Sequence, residues 1–210
     1  MQMKTFVKGP IEANNYLLID EASKDAVLID CSAPDFDYIE DIKSLGVNLK
    51  YILLTHGHFD HILGCNEFKQ VFGAEIYVGK DDIEQLEYAP EMTMMMGGVR
   101  IPEVYSVTNT IKDGDVFNIG NIGLKAISTP GHTKGGMCFL SNDGKLFSGD
   151  TLFHGSVGRT DLKSGNFDQI RHSVCDKLFS LPEETSVYPG HGCKTSIKFE
   201  KRFNEINSMI

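Results

Sequence analysis

The residues best suited to chemistry crowd into one stretch, Thr55-His56-Gly57-His58-Phe59-Asp60-His61, where three histidines and a carboxylate fall within six residues. Imidazole and carboxylate are ligands for divalent cations. Without a cation, four such side chains just after the apolar run Tyr51–Leu54 would repel one another or be poorly solvated, so the spacing points to metal binding rather than packing. Three further candidates stand in glycine-containing turns: His132 in Thr129-Pro130-Gly131-His132, Asp150 in Ser148-Gly149-Asp150-Thr151, and His191 in Tyr188-Pro189-Gly190-His191-Gly192. Five of the seven histidines occupy these positions, leaving His154 and His172. With Asp60 and Asp150 they make seven potential ligands, too many for one tetrahedral ion and suited to two ions that share a bridge. A nitrogen and oxygen set without thiolate suits Zn²⁺, Fe²⁺ or Mn²⁺.

Something must bring these distant turns together, and the strand pattern supplies it. Strands are predicted at Tyr16–Ile19, Ala26–Ile29, Tyr51–Leu54, Glu75–Val78, Val116–Ile119, Leu124–Ile127, Met137–Leu140, Lys145–Phe147 and Ser186–Tyr188. Each candidate ligand group follows the end of one of them. Strand carboxyl ends in α/β sheets lie along one edge, so the loops leaving them can converge on one crevice. Asn142-Asp143-Gly144 reads as a hairpin turn. Helices are predicted at Asp35–Leu45, with Phe36, Ile39, Ile42 and Leu45 inward and Gly46 as terminator, and at His61–Phe72, with Ile62, Phe68, Val71 and Phe72 inward. Two more are expected at Phe167–Leu178 (Ile170, Val174, Leu178) and Thr195–Asn207 (Phe199, Phe203, Ile206). Between Gly79 and Asn109 the periodicity dissolves into a short acidic helical stretch and then Met92, Met94, Met95 and Met96 before Gly97-Gly98. An irregular segment at 79–111 is expected there, either a lid of deformable methionines over the substrate or ordinary loop anchors.

The rest of the composition narrows the partners. With 20 basic and 29 acidic residues among 210, the net charge is −9. No concentrated positive field exists for nucleic acid or an anionic membrane surface. The first residues offer no apolar run longer than Tyr16–Ile19, too short for a signal-peptide core or a membrane span, which predicts a cytoplasmic protein. Cys31, Cys65, Cys138, Cys175 and Cys193 are odd in number and irregularly spaced, as expected of reduced, small apolar residues. Length and pattern predict one α/β domain over residues 1–210.

The element His56-Gly57-His58-Phe59-Asp60-His61, with the later ordered motifs, resembles the HxHxDH signature of the metallo-β-lactamase superfamily along nearly the whole chain. The resemblance implies an αββα four-layer sandwich of two mixed β-sheets flanked by helices. It also implies that His56, His58 and His132 hold one metal, Asp60, His61 and His191 a second, and Asp150 bridges them. Gly149-Asp150-Thr151-Leu152-Phe153, then Gly158-Arg159-Thr160-Asp161 and Tyr188-Pro189-Gly190-His191-Gly192, look most like the glyoxalase II (hydroxyacylglutathione hydrolase) group. The Gly-Arg-Thr-Asp element is shared with persulfide dioxygenases. Asp150 stands where zinc β-lactamases usually carry Cys, and His58 where flavodiiron proteins carry Glu, which argues against both branches. Only about 19 residues follow His191, whereas longer glyoxalase II enzymes add a helical region that helps hold glutathione, so the chain resembles the short bacterial type.

The expected activity is thioester hydrolysis by a metal-bridged hydroxide, on S-lactoylglutathione or another small acyl-thiol, with two divalent ions, zinc first and iron or manganese as options. Asp60 is expected to aim the nucleophile as well as bind metal. A mononuclear-iron persulfide dioxygenase, a lactonase or other ester hydrolase, and a non-catalytic metal-binding domain are the competing readings. Arg159 and Asp161 are expected to pair and fix the loop beside Asp150, and His154 to be an exposed loop residue.

Overall fold

The computed structural model describes residues 1–97, 101, 103–104, 106–107 and 109–208. Six strands form the first sheet in the order β1 (Gln2–Lys8), β2 (Ala13–Ile19), β3 (Asp25–Ile29), β4 (Asn48–Leu53), β5 (Glu75–Gly79) and β6 (Asn109–Ile111). Its first two pairings are antiparallel and its last three parallel. The second sheet runs β12 (Thr195–Ser196), β11 (Ser186–Pro189), β10 (Lys145–Gly149), β9 (Met137–Ser141), β8 (Ile122–Ser128) and β7 (Val116–Ile119), with β10 and β11 parallel and the other pairs antiparallel.

Period-two alternation sorts each strand between two cores. In β2, Tyr16 and Leu18 face the second sheet, where they join Val27, Ile29, Leu53, Phe139 and Phe147. Leu17 and Ile19 face the other way, with Leu28 and Ile52, onto helices α1 (Phe36–Ser44), α3 (Cys65–Phe72) and α4 (Ile83–Gly97). The outer face of the second sheet buries Cys138, Leu146 and Val187 against Ile170 of α5 (Phe167–His172) and Ile197 of α6 (Ile197–Phe203). The layers are thus helix, sheet, sheet, helix, the expected αββα sandwich with mixed sheets. None of the helices among the described residues is long and apolar enough to cross a membrane.

Several local expectations are corrected. The helix predicted over 61–72 is two, because α2 (Phe59–Ile62) ends before Gly64, whose backbone lies so near Ala33 that an added Cβ would sit 2.3 Å from its carbonyl oxygen. Phe36, the first residue of α1, and Phe203, the last of α6, are 74% and 65% exposed, so the apolar stripe is left uncovered at these helix ends. Val71 is also exposed. The helix predicted over 167–178 loosens after His172 into a π turn and a 3₁₀ turn, and Thr195–Ser196 pair as a strand before α6 starts on the Ser196 cap. Within the segment expected to be irregular, the short acidic helical stretch is longer than expected and runs from Ile83 through the methionines to Gly97, with Leu86, Ala89 and Met92 packed inward and Met94 and Met95 outward. Its residues are good helix formers, and that preference persists through Pro90. The remainder of 79–111 lies partly outside the described residues. Strands β1, β6 and β12 add to those predicted.

At one end the two sheets are stitched directly. Asn14 N–H donates to Gly190 O at 2.7 Å, and Tyr16 Oη–H to Pro189 O at 2.7 Å. Met137 N–H donates to Thr55 O at 2.8 Å. The chemistry-bearing turns emerge at this end.

Candidate metal centre

Each side chain is placed by the end of a strand. His56 follows β4, His58 caps α2 backward, and Asp60 and His61 ride on α2. His132 lies between β8 and β9, Asp150 just past β10, and His191 just past β11. Six of the seven are buried or nearly so, and the His191 side chain is 26% exposed. Their ligand atoms fall into three groups, each within 4.8 Å: His56, His58 and His132; Asp60, His61 and His191; and His56, His61 and Asp150. The third group takes one member from each of the others and adds Asp150. Asp150 Oδ1 lies 3.5 Å from His61 Nε2, and Oδ2 lies 3.6 Å from His132 Nε2.

Two glycines make this approach possible. Gly149 has φ +49°, and a Cβ there would sit 2.4 Å from Thr55. A Cβ on Gly190 would sit 2.2 Å from Asp150 Oδ1 and 2.9 Å from His61 Cε1. No other residue type fits either position without moving the carboxylate or the backbone that carries it.

The outward nitrogens of the imidazoles are held by protein, which fixes the direction of the inward ones. His132 Nδ1 lies 2.8 Å from the carbonyl of Arg159, which can only accept, so Nδ1 carries the proton. His61 Nδ1 lies 2.8 Å from Asp30 Oδ2, and His56 Nδ1 lies 3.1 Å from Thr55 Oγ1, which in turn donates to Asp30 Oδ2 at 2.8 Å. Of the atoms this leaves facing inward, His132 Nε2 lies 2.9 Å from His58 Nδ1, while His56 Nε2, His61 Nε2 and Asp150 Oδ1 are buried without hydrogen-bond partners. Three buried acceptors pointed at one another would be costly as a purely structural arrangement. They fit the demands of a divalent cation.

Electrostatically the cluster has two poles. Burial, and then His61, His58 and His132, push His56 well below the usual imidazole value. Burial and His132 push His58 down to about 3. At the other pole, burial opposes the charge on His61, but Asp60, Asp30 and Asp150 outweigh it and raise its pKa. Burial likewise opposes ionisation of Asp60, and His61 and His191 overcome it and hold the carboxyl well below the ordinary range. One pole therefore offers neutral imidazoles and the other carboxylate-paired ones.

Two positioning residues carry no spacing signal and escaped the sequence reading. Asp30, with φ +62°, directly follows β3 and accepts from Thr55 and His61. Its place after a strand is the sign that could have found it. Asp82 is fully buried between the two ligand loops, accepting from Gly57 N at 3.0 Å, Thr133 Oγ1 at 2.7 Å and Gly135 N at 2.6 Å. Arg159 and Asp161 form a two-pronged ion pair at 2.7 and 2.8 Å. His154 is exposed and stacks on Phe199.

Above the cluster opens a cavity of about 220 Å³, floored by the ligands and reached past Arg159, Met92 and Leu162. The sequence pattern of the Metallo-beta-lactamase superfamily matches residues 9–191. The chain belongs to that superfamily. Among metallo-beta-lactamase relatives, the hydroxyacylglutathione hydrolase GloC of Haemophilus influenzae is 34% identical over 192 residues, 90% of this chain and 91% of that protein. The crystal structure of the B3 metallo-beta-lactamase BLEG-1 matches with a TM-score of 0.90 at 31% identity, covering 97% of this chain and 98% of that one. TTHA1623, in a di-iron-bound form, matches with a TM-score of 0.86 at 31% identity, covering 96% and 98%. The likeness to the glyoxalase II group is thus carried by a relative of nearly the same extent, and the His/Asp cluster has the residue types and spacing that could hold divalent metal.

Proposed function

We propose that the protein is a single-domain, binuclear metallohydrolase that cleaves a small acyl thioester. The observation that carries this reading is the division of the ligand atoms into two triads joined by a third group containing Asp150. His56, His58 and His132 would hold one cation, Asp60, His61 and His191 the other, and Asp150 would face both. Zinc is the first choice, and the di-iron form of TTHA1623 keeps iron beside it. Likeness to GloC supports a thioester, with S-lactoylglutathione the first substrate to try.

Divalent cations in such a pair bring a bound water's pKa from near 15.7 toward about 7 and polarise an acyl carbonyl. The chain's own contribution is orientation. Asp30, Thr55 and the Arg159 carbonyl hold the imidazoles with their lone pairs inward, so little reorganises during reaction. Asp60 Oδ2, 3.1 Å from His191 Nε2 and 3.2 Å from His61 Nε2, would accept a hydrogen bond from the attacking water as well as bind metal. A thiolate leaves without a strong general acid, and the described lining residues include none beyond the imidazoles.

The test is metal analysis of protein from its native host, with assays on S-lactoylglutathione, glutathione persulfide with oxygen, a lactone and a chromogenic β-lactam. Two metals per chain with thioester turnover is the expected result. One iron with oxygen uptake and sulfite, or β-lactam turnover far above thioester turnover, would replace this reading.

A further inference from the structure

The cavity wall suggests which thioester. Beyond the ligands, it is lined by Ile11 from the β1–β2 turn, Phe59, Met92 of α4 and Leu162. Phe59 and Met92 are buried at 6% and 8% exposure, whereas Ile11 is 48% exposed and overhangs the mouth. Four apolar side chains from separate segments make a surface that hydrates poorly and gains when an apolar chain covers it. Among the described lining residues, Arg159 alone carries a permanent positive charge. Its Nε and one Nη2 hydrogen are taken by Asp161, which leaves the Nη1 pair and a second Nη2 hydrogen unassigned among the five donors of the guanidinium. The Arg159 side chain is 56% exposed, at the rim rather than in the floor.

We infer that the preferred substrate is a thioester with an apolar acyl arm and an anionic group elsewhere in the molecule, the arm lying on Met92, Phe59, Leu162 and Ile11 and the anion met by the free edge of Arg159. This rests on the thioesterase reading above and narrows it: a short hydroxyacyl group such as lactoyl leaves the apolar wall wet. Arg159 is a specificity residue in this scheme, and its side chain can be replaced without touching the backbone carbonyl that holds His132.

Metal-loaded protein is assayed on S-acetyl and S-hexanoyl esters of 3-mercaptopropionate, which is anionic, and of N-acetylcysteamine, which is neutral. Hexanoyl is expected to exceed acetyl in kcat/KM by tenfold or more, since a methylene that is fully buried contributes about fourfold. The anionic ester is expected to exceed the neutral one by about tenfold, the scale of one charge-assisted contact. Arg159→Met should shrink the anionic-to-neutral ratio toward one, and Met92→Asn the hexanoyl-to-acetyl ratio. Binding of the inert thioether S-hexyl-3-mercaptopropionate, followed by calorimetry, should weaken by about the same factors. Turnover of all four esters with flat ratios, or ratios unmoved by both variants, overturns the inference while leaving the thioesterase reading standing. No turnover of any thioester, with the thioether still bound in the expected order, overturns the thioesterase reading instead.

Discussion

Asp30 Oδ2 lies 2.8 Å from His61 Nδ1, both side chains almost fully buried, so one carboxylate decides which nitrogen of His61 keeps its lone pair for the interior. The same carboxylate reaches His56 through the Thr55 hydroxyl. Asp30→Asn keeps the size and tolerates the positive φ, but turning its amide toward His61 presents a donor and drives the proton to Nε2. Metal affinity, measured by competition with a chelator, should fall about 10- to 100-fold. Undiminished affinity would remove Asp30 from the role of tautomer-setting partner.

Gly190→Ala places a methyl 2.2 Å from Asp150 Oδ1. The expected outcome is a folded protein that loses most of its metal and at least about a hundredfold in activity, since misplacing reacting groups by an ångström costs on that order. Gly144→Ala is the contrast: φ there is +81° but nothing lies within 4 Å of the new atom, so it should cost about 1 kcal/mol of stability and keep its metal. Elemental analysis and urea denaturation separate the two.

Asp82→Ala removes the common acceptor of Gly57 N–H, Thr133 Oγ–H and Gly135 N–H. Each buried donor left unsatisfied costs about 1–3 kcal/mol, so a total loss of at least about 3 kcal/mol is expected. Because the two loops thus freed carry His56, His58 and His132, metal affinity should fall with stability. Equilibrium denaturation of the metal-loaded protein reads the first, and chelator competition the second.

Acid stability should depend on Asp20, whose carboxylate accepts from the Ser23 amide and hydroxyl at 2.9 and 2.8 Å and from Asn121 across the sandwich. The Ser23 amide and hydroxyl, then Asn121, lower its pKa to about 2. A folded pKa below the unfolded value of about 3.9 means that the contribution is present above that value and disappears as pH falls toward 2. The stability difference between wild type and Asp20→Asn should therefore be constant above about pH 5 and shrink between pH 4 and about 2. A difference that does not vary over this window would count against the assignment.

The convergence of the candidate histidines and aspartates was legible because their chemistry and their position agree: such residues rarely cluster after apolar runs, and each of these does. The partners Asp30 and Asp82 were not, since a single carboxylate looks the same in sequence whether it solvates a surface or caps three buried donors. Edge strand β1 carries no apolar run, Gln2-Met3-Lys4-Thr5-Phe6-Val7-Lys8, because each of its faces is only partly covered, Met3 meeting the inter-sheet core and Phe6 the helix-side one. The acidic start of helix α4 was legible, but its full length was hidden by Pro90 and by a methionine run that suits helix and loop alike. Phe36 and Phe203 show the remaining weakness of periodicity, which gives the angle around a helix but not whether a neighbour covers its terminal residues.

The hydrogen bonds from Asn14 to Gly190 and from Met137 to Thr55 close the two sheets upon one another at the very end where the cluster sits. His56, His58, Asp60 and His61 come from the sequence of the first sheet, and His132, Asp150 and His191 from that of the second. Neither half of the chain holds all seven candidate ligands, so a bound cation would act as a rivet through the seam. A cut between β6 and β7 would leave two pieces that each lack what the other holds, and a cation gripping both would report, in a single binding event, whether the whole sandwich is shut.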